Sequence, residues 1–407
     1  MTSVRRAGFA AALAAAPFAL AWRFALVYRV RAGYPKPRPL AVTPEGLGLA
    51  FEETTVEAPG ASLPAWFIPA RDGAPGPGVV LVHGWESGRD RTLPLALILH
   101  AVGFHVLTFD VRGHGANQPE ALPVSGGEFG SDARAAFQAL LARPEVTHGA
   151  IHGHSMGGIG AILAAAADPR VVALAATSSP ADPYRLTRQT FRLARLPLPD
   201  LVAYPLAWWT TRVYLEPRGH AVEEIDASRA IARYRGPILL THGDADQVVP
   251  FSHMKRLEQA ARAARARRSA GPEGSAASPV ESCVIPGGGH SWLYEYPAYR
   301  AALARFLATA LGGPMAPDEA AVVAAAVPAM RLADPQVPFT AVAAEPGGFR
   351  SLAAIASRRA AGALAPSVHD APGWQPSHGL PDAEPPVPEE PFDPLTGPTT
   401  LGEGAAP

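Results

Sequence analysis

The sequence of 407 residues predicts an α/β protein built around a mostly parallel, doubly wound sheet of about eight strands. The first observation is an alternation of short apolar segments with helical segments from residue 51 to residue 311. Such alternation is typical of parallel sheets that are covered by helices on both faces. The second is the composition, because 48% hydrophobic and 17% charged residues supply enough apolar surface for a large core.

Eight segments have strand character. The first two, FEETTVEA and LPAWFIP (residues 51–58 and 63–69), are separated by a Pro-Gly turn and predict a first pair of strands. The other six are short apolar runs, which suit strands buried on both faces of a parallel sheet. In chain order they are GVVLVH, FHVLTFD, GAIHGH, VVALAATSS, GPILLTHGD and SCVIPGGG.

Helical segments lie between these strands. RTLPLALILHAVG is predicted to end at Gly103, and GSDARAAFQALLARPEV is predicted to carry Asp132 near its start. Three more helices are predicted for MGGIGAILAAAADP, SHMKRLEQAARAARARR and YRAALARFLATAL. The second of these three contains six basic residues, which we interpret as the solvated face of an outer helix and not as a nucleic-acid site. They are Lys255, Arg256, Arg262, Arg265, Arg267 and Arg268.

Residues 1–45 are predicted to form an apolar segment followed by a proline-rich connector. Residues 7–22 are 16 uncharged residues preceded by Arg5 and Arg6, and this pattern predicts an uncleaved membrane anchor within residues 7–30. One alternative is a signal peptide, since residues 19–21 read Ala-Leu-Ala. Another is a helix that packs on the body of the protein or lies on a membrane surface. Without an anchor the protein would be cytoplasmic.

Residues 46–312 are predicted to form the folded domain, and the alternating pattern stops beyond it. Residues 313–407 are rich in alanine and proline and are predicted to be largely disordered. Two alanine-rich pieces of this tail, DEAAVVAAAV and SLAAIASRRAAGAL, are candidate helices.

Charge and cysteine content exclude several classes of function. A formal net charge of -1 gives no electrostatic reason to expect a nucleic-acid partner. The single cysteine, Cys283, cannot form an internal disulfide, and no spacing of cysteine and histidine resembles a zinc site. His152 and His154 form an H-x-H pair without further patterned ligands. We therefore expect neither a metal nor another cofactor.

The stretch IHGHSMGGIG places Ser155 between the strand GAIHGH and the helix that begins at Met156. A serine at such a tight turn projects its hydroxyl above the carboxyl edge of the sheet. Side chains at Gly153 and Gly157 would collide across so sharp a bend. The amide groups at the start of the helix also point towards an oxyanion formed near Ser155. The context therefore predicts a nucleophile.

A serine nucleophile needs a base and an orienting carboxylate. The strand GPILLTH leads into GDADQVVP, which supplies Asp244 and Asp246, and the next strand leads into a glycine-rich loop that ends in His290. Both loops follow later strands, at the edge where ligands bind in open α/β sheets. The residues alone leave both aspartates open as the acid.

These motifs resemble those of the α/β-hydrolase superfamily, in its serine esterase, lipase and peptidase branch. The resemblance covers about residues 46–311 and implies an α/β-hydrolase fold with a catalytic domain at 46–312. It rests on HGW, FDVRGHG, GHSMGG, GDADQVVP and GGGH (residues 83–85, 109–115, 153–158, 243–250 and 287–290).

The resemblance implies a role for each site residue. Ser155 would be the nucleophile and His290 the base. Family members usually carry the acid three residues after the loop glycine, which favours Asp246 and leaves Asp244 to cap the loop. The backbone amides of Trp85 and Met156 would bind the oxyanion. His83 and His114, which are tempting as further bases, are expected to hold loops by hydrogen bonds instead.

An insert at about residues 180–231 would form a small helical cap over Ser155. Its aromatic residues predict a hydrophobic wall for an acyl or alcohol group, with the alternative that they seat the cap on the sheet. They are Phe191, Tyr204, Trp208, Trp209 and Tyr214, of which Tyr204, Trp208 and Trp209 are the predicted substrate-binding residues.

The combined prediction is a serine hydrolase that cleaves carboxylic esters through an acyl-enzyme. Its partner would be a small-molecule ester with an apolar acyl or alcohol part. A peptidase, amidase or thioesterase of the same fold is the enzymatic alternative. The non-enzymatic alternative is a membrane-tethered binding protein with an inactive site.

Overall fold

A computed structural model describes residues 2–194, 196, 198–270 and 278–328 of the chain. Its centre is one sheet of eight strands in the order β1-β2-β4-β3-β5-β6-β7-β8. Strand β2 pairs antiparallel with β1 and β4, and every other neighbouring pair is parallel. The predicted, mostly parallel sheet is therefore confirmed. The strands are β1 Glu52–Ala58, β2 Ala61–Ile68, β3 Gly76–Val82, β4 His105–Phe109, β5 Val146–His154, β6 Val171–Thr177, β7 Ile238–Gly243 and β8 Val280–Ile285.

Ten α-helices lie within the described residues. They are α1 Thr2–Ala32, α2 Leu93–Ala101, α3 Gly126–Leu141, α4 Met156–Ala167, α5 Pro183–Leu193, α6 Asp200–Leu215, α7 Ala227–Arg233, α8 Ser252–Ser269, α9 Pro297–Leu311 and α10 Pro317–Ala326. All five helices predicted to alternate with or follow the strands are present. Helices α5, α6 and α7 lie in the predicted cap, between β6 and β7.

The sheet is buried on both faces because its side chains alternate between two cores. In β3, Val80 and Val82 belong to the core under α3 and α4, whereas Val79 and Leu81 belong to the core under α2 and α9. This alternation follows from the two-residue period of a strand. It explains why the central strands are continuous apolar runs in the sequence.

Helix α3 begins four residues earlier than the segment predicted for it. Ser125 and Glu128 form a capping box, in which the Glu128 carboxylate accepts from the Ser125 backbone N–H at 2.8 Å. Asp132 therefore lies in the second turn of the helix. There it is fully buried and forms an ion pair with Arg112 at 2.5 Å. Gly126 and Gly127 are typical of a loop in the sequence, but the capping box between Ser125 and Glu128 fixes the start of the helix at Gly126.

The basic helix α8 is less solvated than predicted. Arg265 is buried and donates to the backbone oxygens of Gly236, at 2.6 Å, and of Ser278. Arg268 donates to the oxygen of Ala232 at 2.9 Å. These two arginines bind the ends of neighbouring loops, so only part of the helix's charge forms a solvated face.

Helix α1 is one continuous helix of 31 residues, and its two halves have different surroundings. Side chains along residues 6–22 are mostly exposed, whereas the part from Phe24 to Ala32 packs against α6. The segment Arg6–Ala32 is long and apolar enough to cross a membrane. The extended connector that follows is attached to the body by Arg38, which donates to Asp90 at 2.6 Å.

At the other end, the first alanine-rich piece of the tail forms α10. Ala320 and Ala324 of this helix are buried in the same core as α9, so the packed body extends beyond residue 312. The second alanine-rich piece and the proline-rich sequence after it lie outside the described residues.

Candidate active site

Ser155 occupies a strained turn between β5 and α4. Its backbone has φ 54° and ψ -120°, a conformation that costs free energy for any residue with a side chain. A Cβ at Gly153 would overlap the carbonyl oxygen of Gly157, and one at Gly157 would overlap those of Val82 and His83. Both glycines are therefore required by the close approach of the backbone. The turn directs Ser155 to the carboxyl edge of the sheet.

The loops after β7 and β8 bring an acid and a base to Ser155. The Ser155 hydroxyl lies 2.9 Å from Nε2 of His290, and Nδ1 of His290 lies 2.8 Å from Oδ2 of Asp246. All three side chains are buried. The geometry fits an Nδ1–H that donates to the carboxylate and an Nε2 that accepts the serine proton.

Asp246 and Asp244 have opposite surroundings. The Asp246 carboxylate accepts from the backbone N–H groups of Val248 and Val249 at 2.9 and 2.8 Å. Burial alone would raise the pKa of Asp246, but the nearby His290 and His242 outweigh burial and lower this pKa below its usual value. Asp244 is exposed and accepts from the backbone N–H of Gly287 at 2.7 Å. Asp244 thus ties the two loops together without touching His290.

Two further histidines hold the site, and the sequence patterns did not single them out for this role. His154 donates through Nε2 to the backbone oxygen of His290 at 2.8 Å, and burial lowers the pKa of His154 to about 4. His242 lies with Nε2 3.2 Å from the Asp246 carboxylate. In the sequence, His154 directly precedes the predicted nucleophile and His242 directly precedes the loop glycine. These positions are the signal from which their contacts with the site could have been inferred.

The predicted oxyanion residues both line the cavity beside Ser155. Met156 is the first residue of α4, and an amide at that position has no acceptor within its helix. The loop that carries Trp85 runs against the nucleophile, since a Cβ at Gly84 would lie 3.3 Å from Cβ of Ser155. The arrangement fits two amides that face one carbonyl oxygen, and their role stays a prediction.

His83 and His114 hold loops, as expected. His83 donates through Nδ1 to the oxygen of Gly84 at 2.7 Å and accepts at Nε2 from the N–H of Val111 at 3.0 Å. This neutral tautomer agrees with burial, which lowers the pKa of His83 to about 3. His114 donates through Nδ1 to the oxygen of Arg112 at 2.9 Å. Neither ring is a second base at Ser155.

A cavity of about 620 Å³ contains Ser155 and His290. Much of its wall is apolar and comes from the cap and from the N-terminal segment. The cap contributes Pro180, Pro183, Leu186, Leu193, Tyr214, Leu215 and Ile225, and the N-terminal segment contributes Tyr28, Ala32, Pro37 and Pro39. Helix α1 is therefore part of the site, which the sequence did not predict.

The three aromatic residues predicted to bind substrate lie elsewhere. Tyr204, Trp208 and Trp209 are absent from the cavity wall and are 41%, 46% and 38% exposed. The prediction that they line the cavity is wrong because the inward stripe of α6 consists of residues four apart, which are Ala203, Ala207, Thr211 and Leu215. Phe191 is buried, but it packs on Phe24 of α1 with ring centroids 5.2 Å apart.

Among the described residues, no group of three or more His, Cys, Asp or Glu side chains is arranged to hold a metal ion.

Part of the chain matches a known family. Residues 73–216 match the family described as serine aminopeptidase, S33. The match includes Ser155 and ends before Asp246 and His290.

Individual proteins extend this similarity. The chain is 30% identical to an uncharacterized protein of Mycobacterium tuberculosis over 270 residues, or 65% of this chain and 79% of that protein. It is 28% identical to a non-heme chloroperoxidase of Streptomyces lividans, over 45% of this chain and 78% of the relative. A solved esterase of Pyrococcus furiosus superposes with a TM-score of 0.53 and 19% identity, covering 69% of this chain and 98% of the esterase. That likeness shows a shared fold.

Proposed function

This chain belongs to the α/β-hydrolase superfamily, among its esterase- and peptidase-like hydrolases, and from that premise we propose that it is a serine esterase. The observation that carries the proposal is the continuous hydrogen-bonded path from Ser155 through His290 to Asp246, with distances of 2.9 and 2.8 Å. A serine hydroxyl with a purely structural role needs no base beside it and no carboxylate to orient that base.

The first half of the reaction acylates Ser155. Nε2 of His290 takes the Ser155 proton while Oγ attacks the ester carbonyl carbon, and the amides of Trp85 and Met156 stabilise the resulting oxyanion. Collapse of the tetrahedral intermediate breaks the carbon–oxygen bond to the alcohol, which leaves with the proton from His290. Asp246 holds the His290 tautomer and stabilises the imidazolium.

The second half releases the acid. Water gives a proton to His290 and attacks the acyl carbon, and the second tetrahedral intermediate returns the proton to Ser155 Oγ as the carboxylic acid departs. The strained backbone of Ser155 helps, because it keeps Oγ clear of the helix and beside His290.

The family description makes a peptidase the second candidate. An aminopeptidase needs negative charge to bind the substrate's ammonium group. Within the described residues, the cavity wall contains one acidic side chain, Glu86, and three basic ones, Lys36, Arg38 and Arg91. The rest is mostly apolar, so the lining suits an acyl chain better than a peptide amino terminus.

We also propose that α1 anchors the protein in a membrane. The support is its length, its apolar composition and the exposure of Phe9, Leu13 and Phe18, which are 72%, 65% and 78% exposed. A free-standing helix with such a surface would be unfavourable in water. A signal peptide has a similar composition, but the part of α1 from Phe24 to Ala32 packs on the cap and lines the cavity, which favours retention of the helix.

Hydrolysis of p-nitrophenyl esters of graded chain length, compared with p-nitroanilides of the same acyl groups, tests the proposal. We expect ester cleavage that falls to background in Ser155→Ala and is unchanged in Ser282→Ala, a serine on the exposed edge strand. A higher specificity constant for the anilides would make the protein an amidase. Full activity of Ser155→Ala would rule out Ser155 as the nucleophile.

A further inference from the structure

Exposed apolar side chains concentrate on two helices. Of the thirteen large hydrophobic residues that are most exposed in the described chain, ten belong to α1 and α6. Helix α1 contributes Phe9, Leu13, Phe18, Leu20 and Trp22, and α6 contributes Leu201, Val202, Tyr204, Trp208 and Trp209. Contiguous apolar surface of this kind marks an interaction site.

Helix α6 has an apolar face on each side. Its outward stripe consists of Leu201 and Trp208, seven residues apart, beside Val202 and Trp209 with the same spacing. Its inward stripe includes Thr211 and Leu215, which line the catalytic cavity. One helix therefore separates the cavity from the exposed apolar surface.

The two exposed surfaces meet. The rings of Trp22 and Trp209 lie with centroids 6.0 Å apart. Below this contact, Arg29 donates to the backbone oxygen of Val213 at 3.0 Å, and Tyr214 donates to that of Ala32 at 2.9 Å. These bonds and the aromatic packing fix the second half of α1 to the cap.

This attachment determines where a membrane would lie. Residues 6–22 of a helix span about 25 Å, against about 30 Å for the hydrocarbon core, and Arg6 and Trp22 at the two ends are residue types that suit the headgroup level. If that part enters a bilayer, Trp22 lies at its surface, and Trp209 in contact with it must lie there too. Guanidinium groups stack on the outer aromatic rings of α6, Arg188 on Tyr204 at 4.4 Å and Arg212 on Trp208 at 3.7 Å. Tryptophan, tyrosine and arginine are the residues that suit the headgroup level.

We propose that the outward face of α6 docks on the phospholipid bilayer that α1 enters, and that the substrate is an ester lipid of that bilayer. The substrate part of the inference rests on the esterase proposed above. An apolar acyl chain would pass from the bilayer beside α6 into the cavity between α6, α1 and Ser155. The bilayer is favoured over a protein partner because the α6 surface is continuous with that of the membrane-length helix.

Docking is tested on the full chain in phosphatidylcholine–phosphatidylglycerol vesicles. An environment-sensitive fluorophore is attached to Leu201→Cys in a Cys283→Ser background, with Val322→Cys on α10 as the matched exposed control. We expect a blue shift and quenching by doxyl-labelled lipid at position 201 and neither at position 322. A probe at 201 that stays in water would overturn docking. So would a probe shielded without lipid quenching, which would indicate a second copy of the chain.

Substrate access is tested with the double variant Leu201→Gln/Val202→Gln and the control Val322→Gln. We expect the double variant to hydrolyse soluble p-nitrophenyl butyrate at the unaltered rate and monooleoylglycerol in the vesicles roughly tenfold more slowly. Equal loss on both substrates, or none on the lipid, would contradict the proposal. If neither substrate is cleaved although the probe at 201 is lipid-quenched, the esterase fails and docking stands. If the soluble ester is cleaved but the probe at 201 is not quenched by lipid, docking fails and the esterase stands.

Discussion

Asp246 and Asp244 are two residues apart in the loop after β7, yet their carboxylates have different hydrogen-bond partners. Asp246 is buried and meets His290 at 2.8 Å, whereas Asp244 is exposed and holds Gly287 of the neighbouring loop. The difference arises because the loop turns between them. Substituting each aspartate in turn therefore tests the role of negative charge beside His290.

Asp246→Asn should lower kcat by about 10³- to 10⁴-fold, because an amide neither stabilises the imidazolium nor selects the correct His290 tautomer. Asp244→Asn, its matched control, should change kcat by less than about threefold. Steady-state hydrolysis of p-nitrophenyl butyrate measures both. The reverse ranking would assign the acid to Asp244.

At this scale, local sequence patterns predicted the residues proposed for catalysis and missed His154, which contacts one of them. Ser155 and His290 could be named because each follows a strand in a recognisable motif, whereas the motif left Asp244 and Asp246 open and the family resemblance favoured Asp246. The contact of His154 with His290 joins residues 136 apart in sequence, and no local pattern encodes it. The outward position of Trp208 and Trp209 follows from the helical period of α6, which aromatic composition alone does not contain.

Among the elements, α1 has two parts with different surroundings. Its first part is exposed, and its second part closes the cavity through Tyr28 and packs on Phe191 through Phe24 and Tyr28. The strands could be predicted because burial on both faces makes each a local apolar run. The packing of α1 on the cap could not be predicted, because it depends on contacts with residues more than 150 positions away in the chain.

Two truncations test the roles proposed for these two parts separately. A chain that starts at Ala21 should leave the membrane fraction and keep its activity on soluble esters. A chain that starts at Gly33 should lose most of that activity and more than about 5 °C in Tm, because Phe191 and the cavity become exposed. Cell fractionation, calorimetry and p-nitrophenyl butyrate turnover measure the three effects. Equal Tm and activity in both chains would show that α1 does not support the site.

On the scale of the whole molecule, burial keeps several histidines neutral. Burial lowers the pKa to about 3 in two of them and to about 4 in two others, which are His83, His152, His154 and His253. The unfolded chain binds these protons below about pH 6.5, whereas the folded protein does not. Each such histidine therefore lowers the free energy of unfolding as the pH falls.

The protein should accordingly lose stability steadily from about pH 6.5 to pH 4, at about 1.4 kcal/mol per pH unit for each histidine. Burial raises the pKa of Asp110 and Asp132, which offsets part of the loss at the acid end. Urea unfolding at pH 7, 6 and 5 measures the slope, and His152→Gln should reduce it by about one proton. A free energy of unfolding that stays constant over this range would refute the assignment of neutral histidines.

The whole molecule also shows what a single chain can predict. The class of fold, the strand count and the order of the motifs follow from periodicity and local turn chemistry. The shape of the cavity does not, since it is formed jointly by α1, the connector, the cap and the sheet. Local sequence patterns therefore predict a class of chemistry more readily than a substrate.

Labelling with a fluorophosphonate, followed by mass-spectrometric mapping of the modified peptide, tests whether His290 and Asp246 activate Ser155. We expect one label per chain, on Ser155, with no labelling of Ser155→Ala or His290→Ala and normal labelling of Asp244→Asn. An unlabelled wild-type protein, or a label on another serine, would contradict the assignment of Ser155 as the nucleophile.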